Sequence, residues 1–208
     1  MQAGELAVYF ALVFGIIVLP GMDMAFVLGN TLAGGRRAGM AAVVGTMAGG
    51  LCHMAMGVLG VALVLQLVPG LFTFMLLAGA LYVAWIGVSL WRAPAGALEL
   101  GSPAQASPAS AFRGAMLTSL LNPKAYLFTL AVVPQFVHPE RGSVWWQAAA
   151  LAVITAATQA GVYGSLALLA ARSRRWLESD AGSQRLMLRV VAVLLIGTAA
   201  FTAWQGLQ

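Results

Sequence analysis

The sequence predicts an all-α, polytopic membrane protein: six transmembrane helices, arranged as two inverted three-helix repeats, with helices 1 and 4 broken near their middles. Three observations carry that reading. The chain of 208 residues is 61% hydrophobic and only 8% charged, whereas a water-soluble domain has about 25% charged residues. Apolar runs recur along its whole length, each sufficient to cross about 30 Å of hydrocarbon as a helix. The basic residues, finally, collect where loops on one side of a bilayer would lie.

The runs are residues 5–34, 39–67, 70–91, 112–137, 144–171 and 186–205. The first is too long, and too free of N-terminal lysine or arginine, to read as a cleaved signal peptide. It is interrupted by Leu19-Pro20-Gly21-Met22-Asp23. The second carries Gly45 and Gly49 in a small-xxx-small stripe that admits a close helix neighbour. His53 lies one turn beyond Gly49 and reads as a satisfied interhelical histidine, with a proton relay as the alternative, while the lone Cys52 is a small apolar filler with no partner for a disulfide. The third run ends at Trp91. Residues 93–110, with Pro94, Pro103 and Pro108 among alanine, glycine and serine, read as a flexible linker joining repeat one (about 1–92) to repeat two (about 112–208) within one transporter domain. The fourth run is interrupted by Leu121-Asn122-Pro123-Lys124, in the place that matches the first break. In the fifth, Thr155, Thr158 and Gln159 share a helical face. Trp85, Trp91, Trp145, Trp146 and Trp204 cluster toward span ends, as interface anchors do.

A net charge of +5 and a pI near 10.2 would suit nucleic acid, but the charges follow the membrane instead. If the spans alternate, Arg36, Arg37, Arg92, Arg113, Arg172, Arg174, Arg175, Arg185 and Arg189 share one side, Arg141 lies on the other, and Lys124 lies inside. The excess marks the cytoplasmic side and places both termini outside. An odd number of spans per half then makes the halves insert upside down relative to each other.

Depth gives the two breaks their weight. At about 1.5 Å per residue, Lys124 lies roughly 16 Å in from Arg113, and Asp23 lies at a similar depth from Arg36. An ionisable group at mid-membrane costs at least about 2.5–3.5 kcal/mol, so it faces a cavity or a partner and marks a solute or proton path. The bland alternatives are capping of a helix restarting at Met24 for Asp23, and snorkelling to the interface for Lys124. Thr31, Asn30, Thr46, Ser119, Thr155 and Thr158 are weaker candidates, because short polar side chains in membrane helices often bond their own backbone.

Asn122-Pro123-Lys124-Ala125 followed by Pro134-Gln135-Phe136, the Pro20-Gly21 break with Asp23, Gly35-Arg36-Arg37-Ala38-Gly39 running into Gly45 and Gly49, and Ala78-Gly79-Ala80-Leu81-Tyr82 through Gly87 together resemble the LysE/RhtB family of bacterial amino-acid exporters. The family commonly has a second proline after Pro-Gly, where this chain has Met22.

The resemblance implies export of amino acids or close derivatives across the bacterial cytoplasmic (inner) membrane, driven by an ion or proton gradient. A zwitterion needs a partner for each of its charges. Asp23 suits the ammonium; Lys124, with backbone N–H groups at the restart after Pro123, suits the carboxylate; Asn122 and Gln159 add amides. Asp23 is also the proton-coupling candidate, since its protonation removes the ammonium's counter-charge. The single acid at depth favours a neutral substrate such as threonine, homoserine or a branched-chain residue. No cofactor and no enzymatic activity are expected, and exposed glycine stripes leave room for a homodimer. Relatives of the same architecture are thought to move divalent metal ions, but a metal needs several converging ligands, and here Asp23 faces a lysine. An intramembrane protease would need a glycine-framed serine beside a buried histidine, which Gly87-Val88-Ser89 and Gly164-Ser165 do not supply.

Overall fold

A computed structural model of the chain describes residues 3–58, 69–92, 107–177 and 181–206. The end of the second predicted span and most of the predicted linker lie outside these residues. Every regular element among those described is helical, and the chain is a multi-pass membrane protein. The elements are α1 (Ala3–Val18), α2 (Met22–Val58), α3 (Pro69–Arg92), α4 (Pro108–Leu120), α5 (Pro123–Ala131), two 3₁₀ turns (Val133–Phe136 and Pro139–Arg141), α6 (Val144–Leu177) and α7 (Ala181–Gly206).

α2 is two arms rather than one rod. At Gly35 the backbone takes φ 71 and ψ −169, left-handed territory that glycine enters without a Cβ penalty. Gly39 lies against the Thr31 side chain, although a straight helix would separate the two by about 12 Å. The chain therefore turns back on itself here, and the arms 22–34 and 36–58 correspond to the end of the first predicted span and the start of the second. Thr31 donates to Val27 O at 2.7 Å and Thr46 to Ala42 O at 3.1 Å, so both hydroxyls serve their own helix.

Both expected breaks are present as backbone geometry. α1 stops at Val18 and α2 starts at Met22, and between them Pro20 has no N–H to continue the ladder. α4 and the segment beyond Pro123 are bent by 55°. Asn122 caps the restart, its Oδ1 accepting from Lys124 N at 3.0 Å, with Pro123 at the first helical position. Asp23 is not the N-cap anticipated for a restart at Met24: it sits inside the first turn of α2, where the positive end of the helix dipole favours an acid.

One boundary differs from expectation. Ser107 accepts from Ser110 N at 3.1 Å and Pro108 follows it, so α4 starts inside the stretch read as linker, before Phe112. A serine cap followed by proline is a start signal, and a reading from composition alone passes over it.

The second arm of α2 packs against α4 and α6, α1 against α6, and α3 against α7. Without a hydrophobic drive between helices in lipid, close backbone approach decides such contacts. A Cβ at Gly49 would come within 2.6 Å of Ser119 Cβ, and one at Gly45 would meet the Phe112 carbonyl. The main core joins Tyr9, Val13 and Ile17 of α1 to Val27, Val43, Ala115, Leu151 and Tyr163. Trp85, Trp91, Trp145, Trp146 and Trp204 are exposed. At one end Arg141 Nη1 meets Glu5 Oε1 at 2.6 Å. That ion pair puts the start of α1 and the turn before α6 on the same face.

Candidate functional site

The two breaks meet. Where they meet, a cavity of about 60 Å³ lies between α1, the two arms of α2, α5 and α6. Its walls include the four residues singled out as binding candidates, Asp23, Asn122, Lys124 and Gln159, together with His53, Ser119, Tyr9 and Tyr163.

Each wall residue arrives there for a local reason. Asp23 and Lys124 occupy the first turns of the helices that restart after the prolines. Gly21 lets Lys124 pass, because a Cβ at that position would lie 3.0 Å from Nζ. Gly50 leaves room for the Gln159 amide in the same way, a Cβ there falling 3.0 Å from Oε1. Thr155, one turn before Gln159, bonds the Tyr9 hydroxyl at 2.9 Å and seals the cavity toward α1.

Lys124 does not pair directly with Asp23: no ion pair within 4.0 Å joins them. Its ammonium instead donates to Leu19 O at 2.8 Å and to Ile16 O at 3.0 Å. Ile16 O is the carbonyl whose helical donor would be the N–H of residue 20, which proline lacks. The snorkelling alternative is thereby replaced by an inward one, in which the lysine completes the cut end of α1 and complements its negative dipole.

The second break is completed in the same manner. Ser119 O has lost the N–H of residue 123 to proline; it accepts from Asn122 N at 3.0 Å and from His53 Nε2 at 2.8 Å. A carbonyl only accepts, so Nε2 carries the proton and, in the neutral ring, Nδ1 presents a lone pair. Tyr126 holds the imidazole edge-on, with centroids 4.5 Å apart.

What remains around the cavity is a set of polar atoms. Asp23 Oδ1, His53 Nδ1, Ser119 Oγ, Asn122 Nδ2 and Gln159 Oε1 are all buried and make no well-formed hydrogen bond, the Asn122 side chain lying beside the Asp23 carboxyl, and all belong to residues of its wall. A buried polar atom left unpaired costs about 1–3 kcal/mol. Five around one cavity give its wall unspent hydrogen-bonding capacity. The set contains both acceptors that a cationic donor could use and donors that an anion could use.

The LysE type translocator family matches residues 14–206. The chain belongs to that family. Among relatives, a membrane protein of Vibrio cholerae is 31% identical over 169 residues, covering 81% of each chain. A leucine efflux protein of Klebsiella pneumoniae is 37% identical over 123 residues, 59% of this chain and 58% of the relative. A homoserine/homoserine lactone efflux protein of Salmonella typhimurium is 32% identical over 162 residues, 76% of this chain and 77% of the relative. No solved structure gives a significant match.

Within this LysE-family chain, the other polar candidates separate by orientation. Thr158 does not share the cavity with Gln159: its hydroxyl donates to Ile154 O at 2.7 Å, and it lines an apolar groove beside Phe10 and Phe14. Both residues are buried, so neighbouring positions on one stripe serve two separate spaces. Asn30 Nδ2 bonds Phe26 O at 2.9 Å within its own helix. Ser89 and Ser165 likewise bond the carbonyls of Trp85 and Val162, and neither contacts a histidine. Among the described residues no three of His, Cys, Asp and Glu cluster as metal ligands do. Cys52 is a half-buried free thiol outside the cavity wall. Sequence reasoning missed Tyr9 and Tyr163, whose only signal was a phenol inside an apolar run; it read His53 as a satisfied interhelical histidine rather than a proton relay, and His53 bonds Ser119 O on a neighbouring helix.

Proposed function

We propose that this LysE-family protein is a secondary exporter of neutral amino acids or close derivatives across the cytoplasmic membrane. In this reading six spans form two inverted three-helix repeats, with both termini outside. One observation carries it: the five buried polar groups of Asp23, His53, Ser119, Asn122 and Gln159 surround one cavity at the junction of two broken helices. Interrupted helices in corresponding places are the usual setting of a mid-membrane solute site. The efflux named in two of the relatives supports the same direction of transport.

The substrate ammonium rests on Asp23, with Gln159 as second acceptor. The carboxylate takes Asn122 Nδ2 and draws the Lys124 ammonium off the end of α1. Transfer of Lys124 from backbone to substrate frees α1 to move, which couples occupancy to the change of access. Proton binding at Asp23 cancels the charge that holds the ammonium, so substrate and proton alternate at one carboxylate. Gly45 and Gly49 provide the smooth helix contact along which the halves slide. A divalent cation fits less well, because Lys124 supplies fixed positive charge and Asp23 is the only acid in the wall.

The deciding experiment measures amino acids accumulating outside cells that overproduce the chain, with Lys124→Ala and Asp23→Asn as controls. Release of neutral amino acids that both substitutions abolish supports the reading. Inverted vesicles that accumulate manganese or cadmium and ignore every amino acid would overturn it.

A further inference from the structure

Behind Lys124 lies a second cavity, of about 390 Å³, against Pro20, Met22, Leu127, Val132, Thr198 and Phe201. It shares Ile16, Asn122, Lys124 and Phe128 with the polar cavity. The partition between the two is built from these four residues, with the lysine side chain held in it by its bonds to Ile16 O and Leu19 O. One compartment is small and rich in polar atoms. The other is several times larger and, away from the shared Asn122 and Lys124, walled mainly by apolar side chains: its one hydroxyl, on Thr198, is spent on Leu194 O at 2.7 Å within its own helix.

We propose that this second cavity is the side-chain subsite, and that it selects large aliphatic amino acids over small or hydroxylated ones. The inference rests on the export reading above and specifies its substrate class. A head group seated on Asp23 and Asn122 reaches the partition with its carboxylate. When Lys124 turns to that carboxylate, the wall opens and the side chain enters the apolar compartment. A hydroxylated side chain finds no free hydrogen-bond partner on the Thr198 side and loses its water for nothing. A branched aliphatic chain fills the space and gains contact with Leu127, Val132 and Phe201. The continuity through Lys124 and Asn122 assigns this apolar space to the substrate. Leu127 and Phe201 are half-exposed at its outer rim, and a lipid chain is the competing occupant.

The test is efflux from proteoliposomes loaded separately with alanine, threonine, homoserine, valine, leucine and methionine. Leucine and methionine are expected to leave about 10-fold faster than alanine or threonine, the discrimination that a few methylenes provide in an apolar pocket. Thr198→Phe, which fills the cavity, is expected to lower the leucine-to-alanine ratio by about 10-fold; Thr198→Ala is expected to raise methionine over valine. Export of threonine or homoserine at or above the leucine rate overturns the subsite while leaving the export reading intact. An unchanged leucine-to-alanine ratio in both variants assigns the cavity to lipid and also overturns it. If no amino acid moves, the export reading falls, and this inference falls with it.

Discussion

His53 does for the second helix break what Lys124 does for the first. Each side chain belongs to one half of the sequence and completes a carbonyl that proline has exposed in the other half: Lys124 on Ile16 O at 3.0 Å, His53 on Ser119 O at 2.8 Å. The two halves are thus cross-braced through the very defects that open the site. Both braces also line the cavity, so the bonds that hold the broken ends border the same space.

Lys124→Met keeps the length of the side chain and removes its donors. The carbonyls of Ile16 and Leu19 then face apolar surroundings, and the protein is expected to lose about 1–3 kcal/mol of stability together with export. Thermal unfolding in detergent, run beside an efflux assay, checks both. A melting curve that matches the parent protein would show that the lysine carries no bracing load.

Pro20→Ala returns an N–H to position 20, within reach of Ile16 O. The α1 helix is expected to run on, and Lys124 is expected to matter less. A double-mutant cycle of Pro20→Ala with Lys124→Met measures this as a coupling of about 1 kcal/mol. Simple additivity of the two substitutions contradicts the link between proline and lysine.

At His53, glutamine can still donate to Ser119 O and leucine cannot. His53→Leu is expected to destabilise by about 1–3 kcal/mol and His53→Gln by clearly less. If the two variants melt together below the parent, the bond to Ser119 is not what the histidine contributes.

Gly49→Val drives a branched side chain into Ser119 and the Met116 carbonyl. Overpacking of this kind costs about 1–3 kcal/mol. Gly161→Ala is the matched control, since nothing lies within 4 Å of a Cβ at that position, and it is expected to be neutral or slightly stabilising. Equal melting temperatures for the two variants would place the tight contact elsewhere.

Asp23→Asn keeps the shape of the side chain while removing its charge. Exchange driven by a pH gradient across liposomes is expected to disappear, with folding retained. Undiminished exchange in this variant sinks the coupling role of Asp23.

Sequence alone settled whatever depends on local chemistry. Membrane residence follows from how few charges the chain carries, the breaks follow from Pro20 and Pro123, and the choice of Asp23, Asn122 and Lys124 as candidates follows from the cost of polar groups at depth. For Gln159 the sequence left lining a cavity and tying two helices together equally open, because periodicity gives spacing around a helix without saying which way the helix is turned. Tertiary structure alone decided those placements: Gln159 onto the polar cavity, Thr158 buried against a separate groove beside Phe10 and Phe14, Lys124 onto the end of α1 instead of against Asp23, and His53 onto Ser119. Each of these contacts joins helices far apart in the chain, so each depends on how closely the backbones approach at Gly21, Gly49 and Gly50, a property of the packed assembly that no single run of residues contains.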